Sequence, residues 1–449
     1  MTTTERLALL GGVSAIEQPL PHEVWPPPAD EAELSELAEQ RNTDISIKGN
    51  SGPIGRLEAD FLAFLNDRLP NDGSPDAGSP NGRLPNGGAR FAITFNSGTS
   101  ALLAAYFALG VREGVDVVGP SLTYHAALSP VFALRGDVVL ADIDPDTRGL
   151  DPKALQTALT EHTKVITVVH QWGHPCDMDA ILRIAERHEL RVLEDCSHAH
   201  GSRYKGKPVG TFGDAGVFSL QANKAVYAGE GGILVTSDPQ VHDRATLLGH
   251  YRDRSRDAVL DEDLRAHWVT GFGLKLRMSP FNAIVARHAL AAFPAREEAR
   301  HRCLRYFGEQ LADVTYLEPV HVADHVDMGA WYGYKPLYRP EALGGVPRSV
   351  LIEALRAEGM EVGAPSGPRL STLPLYARPE NPLFPGTPKT GAVPETGSHA
   401  EYVERHALSL PTFTNWPEDT TLIDQYAEAF RKVGRHRDAL VRYAADPTR

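Results

Sequence analysis

Short apolar runs rich in β-branched residues alternate with stretches of helical period between Phe91 and Val235. The runs Ala92 to Phe95, Val115 to Gly119, Asp137 to Ala141, Lys164 to His170 and Arg191 to Asp195 read as strands. Ala215 to Leu220 and Ile233 to Thr236 read as two more, joined by an exposed turn that carries Lys224. Between the runs, Ser100 to Leu109, Pro152 to Thr160 and Met178 to His188 have helical spacing. Such alternation predicts an α/β fold with a mostly parallel sheet covered on both faces.

Outside this block the pattern is mainly helical. Asp30 to Gln40, Arg56 to Leu69, Val241 to Arg254, Ser279 to Arg305, Arg348 to Gly359 and Asp424 to Tyr443 are expected helices. Trp331 to Tyr338 reads as strand-like, and Leu370 to Gly397 as an irregular, Pro-rich loop. The stretch from Pro70 to Gly88 repeats Pro-Asn and Gly-Ser-Pro units, so a flexible insertion is expected there.

Length then divides the chain. At 449 residues it exceeds one ordinary domain. The expected parts are an N-terminal arm and helix over 1–44, a large domain over 45–305 and a smaller C-terminal α/β domain over 306–449. A formal charge of -13 argues against nucleic acid or an anionic membrane as partner. No apolar run reaches membrane-spanning length, and no secretory leader is expected from Met1 to Leu10. Three cysteines without paired spacing fit buried free thiols in a reducing cytoplasm.

Ligands of parallel sheets gather at the carboxyl ends of the strands. After the first strand comes Asn96-Ser-Gly-Thr-Ser, opening a helix. The backbone of Ser97, Gly98 and Thr99 there could cradle an anion, or Ser97 could be an ordinary N-cap. Tyr124 follows the second strand as a candidate aromatic plate, and Asp195 ends the fifth. Lys224 comes 29 residues later, with Ser219 and Gln221 just before it. An anion cradle, an aromatic plate, a carboxylate and a lysine together suit pyridoxal 5'-phosphate: phosphate, ring, pyridine nitrogen and aldehyde each find a partner. His170, His174, Cys176, Cys196, His198 and His200 could bind a metal singly, but their spacing matches no zinc pattern, and no metal is expected.

In this combination the chain from Ile45 to Pro411 resembles the sugar aminotransferases of the DegT/DnrJ/EryC/StrS type. The matching stretches are Asn96 to Leu102, Pro120 to Tyr124, Asp142 to Thr147, His170 to Asp179, Glu194 to Gly201, Gly213 to Ser219, Lys224 with Gly229 to Gly232, Arg277 to Ser279, and Leu408 to Pro411. The resemblance implies the fold type I of pyridoxal-phosphate-dependent transferases, with a mostly parallel seven-stranded sheet in the large domain. It also implies a homodimer with active sites at its interface.

Carried over by position, it makes Lys224 the Schiff-base lysine and proton shuttle, and pairs Asp195 with the pyridine nitrogen. His198 stands where the family often has glutamine, near the cofactor's 3-hydroxyl. Tyr124 would stack on the ring, and Gly98, Thr99 and Ser219 would hold the phosphate. In the family an asparagine of the neighbouring subunit reaches that phosphate; here Lys275 takes its position. Relatives that dehydrate deoxysugars have histidine where this chain has Lys224, so the resemblance implies an aminotransferase. The implied donor is glutamate or glutamine, and the implied acceptor a keto sugar, keto-cyclitol or related natural-product intermediate. A dehydratase, epimerase or oxidase using the same cofactor is the alternative that His198 and Lys275 leave open; a silent binding homologue is a third reading, against which intact Lys224 and Asp195 argue.

Overall fold

A computed structural model describes residues 6–16, 25–66, 88–377, 383 and 397–446. The insertion expected over 70–88 lies outside them, except for its last residue, as do Pro19 and Pro21 of the arm.

Seven strands form the central sheet: β1 (Phe91–Phe95), β2 (Asp116–Pro120), β3 (Asp137–Ala141), β4 (Thr163–Val169), β5 (Arg191–Asp195), β6 (Ala215–Ser219) and β7 (Gly232–Thr236). Their order is β1-β7-β6-β5-β4-β2-β3. Only β7 runs against the rest, pairing antiparallel with both β1 and β6. The others pair in parallel, with Val168 beside Glu194 and Asp195 beside Val217. Strands β2 and β7 are buried at every position, as β-branched runs covered on both faces should be. On one face the Gly98–Ala108 helix packs Ala101, Ala104 and Ala105 against the sheet, small side chains that let helix and strands approach closely.

The Pro280–Gln310 helix crosses the boundary expected at 305. Ala283, Ala286 and Phe293 join the core under β6 and β7, whereas Cys303, Leu304 and Phe307 join a second core built from Leu7, Ile16 and the C-terminal chain. No helix among the described residues is long and apolar enough to cross a membrane.

Four local expectations differ from what is found. Trp331 to Tyr338 is a strand only at Leu337–Tyr338, because Trp331 (φ 47°) and Gly333 (φ 80°) turn the backbone left-handed ahead of it. The expected 241–254 helix stops at Gly249, where a side chain would press on Phe95. His250 is then extended, placing its Nε2 3.1 Å from the Thr94 carbonyl. The last helix breaks at His436 into Thr420–Arg435 and Arg437–Ala444. The Pro-rich loop begins with ordered structure, a 3-10 turn at Leu370–Thr372 and a helical turn at Pro374–Ala377, pinned by the Tyr376 hydroxyl on the His125 carbonyl at 2.7 Å.

Candidate active site

The chain after β6 does not form the exposed turn its composition suggests. It folds back on itself: the Ala228 amide donates to the Leu220 carbonyl at 2.7 Å, and the Ala222 amide to Gly229 at 2.8 Å. Ala225 to Ala228 are buried by this, and Lys224 is drawn partly inside. Its side chain faces a cavity of about 750 Å³ at the carboxyl ends of the parallel strands.

Ser97, Gly98 and Thr99 line the same cavity, with Ser219 and Gln221. The Ser97 hydroxyl accepts the Ser100 amide at 3.0 Å, so Ser97 is an N-cap and the helix amides beyond it point into the cleft. Gly98 is pressed against β6: a side-chain carbon there would lie 2.9 Å from Ser219 Cβ. Thr99 is exposed to the cleft. Gln221 accepts the Asn223 amide at 3.0 Å, which holds the Lys224 loop in shape.

Asp195, Tyr124 and His198 complete the wall. Asp195 is buried at the tip of β5 and accepts the Ser197 amide at 3.0 Å. Burial raises its pKa, against the opposing pull of the Ser197 hydrogen bonds and the charges of Lys224 and His170. Burial also lowers Lys224, to about 8 from an ordinary 10.5, with Asp195 pulling the other way. His198 is driven well below the usual imidazole range by burial first, then by the charges of Lys224 and Lys335. Tyr124 is 61% exposed and stands at the cavity mouth. Lys275 is absent from this cavity; it lies on the exposed surface.

Tyr332, which with Tyr334 and Arg369 the sequence offers as able to face a substrate, shares the cleft with residues that local pattern does not single out. Tyr332 stacks on His198 with ring centroids 3.9 Å apart and planes within 6°. The Lys224 Nζ lies 4.3 Å from the Tyr332 centroid. Lys335 reaches the cavity from the same segment and donates to Ser409 Oγ at 2.6 Å. Trp172 and Trp331 both line the cavity with positive φ (54° and 47°), backbone strain of the kind that collects at functional sites. The weak sign in the sequence was Gly333 between two tyrosines, a turn inside an aromatic run.

A metal is poorly served. His170, Glu194 and Cys196 are buried with their ligand atoms within 4.8 Å of one another. Yet Glu194 already accepts the amides of Gly210, Phe212 and Gly213 and sits 3.0 Å from His170 Nε2, so its oxygens are engaged in holding the β5–β6 connection.

A phosphorylated pyridine suits the residues present. The start of the helix capped by Ser97 lines the cavity, and a helix N-terminus favours an anion. The Nδ1 of His198 is buried without a hydrogen-bond partner among the described residues, ready for a ring hydroxyl. Buried Asp195 gains from a cationic ring nitrogen that offsets its desolvation.

Comparisons with known proteins agree. Residues 86–418 match the model of the DegT/DnrJ/EryC1/StrS aminotransferase family. The L-glutamine:2-deoxy-scyllo-inosose aminotransferase of Streptoalloteichus tenebrarius is 30% identical over 445 residues, covering 97% of this chain and 99% of its own. An enzyme of the same name from Streptomyces kanamyceticus is 32% identical over 355 residues, 77% of this chain and 82% of its own. The crystal structure of DesI in the presence of its TDP-sugar product superposes with a TM-score of 0.73 at 28% identity, covering 98% of this chain and 99% of that one. The chain belongs to the DegT/DnrJ/EryC1/StrS aminotransferase family and is an aminotransferase that works with pyridoxal 5'-phosphate.

Proposed function

We propose that this enzyme moves an amino group from L-glutamine or L-glutamate to a keto-cyclitol or keto sugar, in the assembly of an antibiotic or related natural product. The observation that carries this reading is Lys224, an amine held near neutrality by burial and aimed into a cleft with Asp195 and His198. The full-length likeness to an inosose aminotransferase supports a cyclitol-like acceptor.

When bound, pyridoxal phosphate supplies an aldehyde that captures the amine and a ring that accepts electrons. In our reading Lys224 Nζ would hold the aldehyde until the amine of the donor displaces it, and the lysine amine so freed would take the proton from the amine-bearing carbon and return it during transfer. Asp195 keeps the ring nitrogen protonated. His198, neutral at physiological pH because of its burial, offers Nδ1 to the ring hydroxyl. The backbone of Gly98 and Thr99, with Ser219, holds the phosphate, and Tyr124 closes over the ring. Both substrates pass through one site, which alternates between donor and acceptor.

We further propose a homodimer. Val269, Phe272 and Leu274 are exposed apolar side chains on the segment that carries Lys275, which suits a surface covered by a second copy. Lys275 then reaches the partner's phosphate cradle. The buried free thiols of Cys176, Cys196 and Cys303 support a cytoplasmic setting.

The test is an absorption spectrum of the purified, cofactor-loaded protein before and after L-glutamine or L-glutamate. A shift to the pyridoxamine form, reversed by 2-deoxy-scyllo-inosose or another keto-cyclitol, is expected. A cofactor band that no amino donor shifts would replace transamination with another reaction.

A further inference from the structure

Lys335 has no role in the chemistry above. It sits in the same cavity, and its ammonium fills the space beside Gly333, where any side chain would collide with its Nζ. Gly333 adopts φ 80°, so the turn beside the lysine needs glycine. One N–H of the ammonium donates to Ser409 Oγ at 2.6 Å. Among the described residues it has no carboxylate partner. Asp195 and Glu230 are the carboxylates of the cavity wall; Asp195 feels Lys224 and His170, and Glu230 is exposed.

A half-buried ammonium with a single hydroxyl partner is unfavourable unless something else supplies the counter-charge. Loss of hydration alone lowers its pKa to about 8, so it remains mostly charged at neutral pH. His198 lines the same cavity and feels its charge. Of the substrates in the reading above, the keto-cyclitol acceptor that the full-length likeness favours is neutral, and the amino acid brings a carboxylate.

We propose that Lys335 is the anchor for the α-carboxylate of the amino donor, with Ser409 and Gly333 holding the ammonium in place. The ion pair forms with the amino acid and leaves with its keto acid. The neutral acceptor then enters without displacing a charge. The inference rests on the aminotransferase reading, because that reaction admits an amino acid and a neutral ketone to one cleft.

The test uses two unreactive probes that differ by one charge: glutaramate, which is glutamine without its α-amino group, and its neutral diamide. Calorimetric titration of the cofactor-loaded wild type, Lys335→Met and Lys335→Arg reads the affinity of each. Glutaramate is expected to lose about 10- to 100-fold with Lys335→Met, the worth of a hydrogen bond between charged groups. Lys335→Arg should keep most of it, and the diamide should bind all three proteins alike. Wild type that ignores glutaramate, an equal loss of both probes, or weakened cofactor binding in Lys335→Met overturns the proposal. Failure of the function itself reads differently: glutaramate binds through Lys335, yet L-glutamine never converts the cofactor.

Discussion

Gly98 and Ser219 touch so closely that a Cβ on the glycine would fall 2.9 Å from Ser219 Cβ and 3.1 Å from its Cα. The first turn of one helix is thereby locked to the end of β6, five residues before Lys224. The contact couples the anion cradle to the lysine. Gly98→Ala forces the two apart and should raise the dissociation constant for pyridoxal phosphate by roughly tenfold or more, with about 1–3 kcal/mol lost from the fold by overpacking. An absorbance titration of the cofactor, beside a denaturation curve of the cofactor-free protein, checks both parts. Unchanged affinity would mean that the cradle and β6 are not coupled.

Lys224 should show its depressed pKa in the rate of cofactor capture. Only the unprotonated amine attacks the aldehyde. With a pKa near 8, roughly one amine in ten is unprotonated at pH 7, far more than for an ordinary lysine. The rate of pyridoxal phosphate uptake by the cofactor-free protein should therefore climb with pH and level off above about 8. Asp195, whose charge raises the Lys224 pKa, sets the sign of a second expectation: Asp195→Asn should move the inflection to lower pH. Stopped-flow absorbance across pH 6 to about 10 reads it. A rate still rising steeply at the top of that range would mean that Lys224 is solvated in the protein.

Where the candidate site residues stand is largely legible in the sequence because strand ends are legible. β-Branched runs fix where β1, β2, β5 and β6 stop, and Ser97, Tyr124, Asp195 and Ser219 stand at or just beyond those stops. Lys335 is not, because its hydrogen-bond partner Ser409 is 74 residues away, and no local pattern carries that. Tyr332 and Tyr334 read alike, as positions of a strand-like stretch that could each face a substrate. Positive φ at Trp331 and Gly333 instead sends Tyr332 to the cleft beside His198, while Tyr334 packs on Phe307 in the C-terminal core. Lys224 was legible as a residue but not in its setting: small neighbours suggested an exposed turn, and the hydrogen bonds that fold the turn inward belong to the backbone.

Arg254 and Glu58 form a buried two-point ion pair at 2.8 and 3.1 Å. Glu58 also accepts the amide and hydroxyl of Thr94 at 2.8 and 3.0 Å, tying the Gly52–Asn66 helix to β1. Arg254→Met leaves a buried carboxylate without its cation and should cost about 3–5 kcal/mol in denaturant unfolding. Removing both charges should cost less than the two single changes added together, because the second change relieves the first. Additive losses would show that Thr94, and not the ion pair, holds the carboxylate. The cofactor spectrum should survive in whatever fraction of Arg254→Met remains folded, since neither residue lines the cleft.

Lys275 offers the sharpest test of assembly. Its own cavity does not include it, and its segment exposes Phe272 at 61%. If a second copy covers this surface, each active site takes Lys224 from one chain and Lys275 from the other. Lys275→Ala should then weaken cofactor binding about 10-fold or more by removing one charge-assisted contact to phosphate. Unfolding and refolding Lys224→Ala together with Lys275→Ala should give mixed dimers in which one site carries both changes and the other neither. At limiting cofactor, where Lys275→Ala alone is mostly empty, transamination should recover in the mixture to roughly a quarter of the wild-type level, the share expected from random pairing with one good site per mixed dimer. Activity no higher than the mean of the two parents would place Lys275 outside the neighbouring site, whatever the oligomeric state measured by sedimentation.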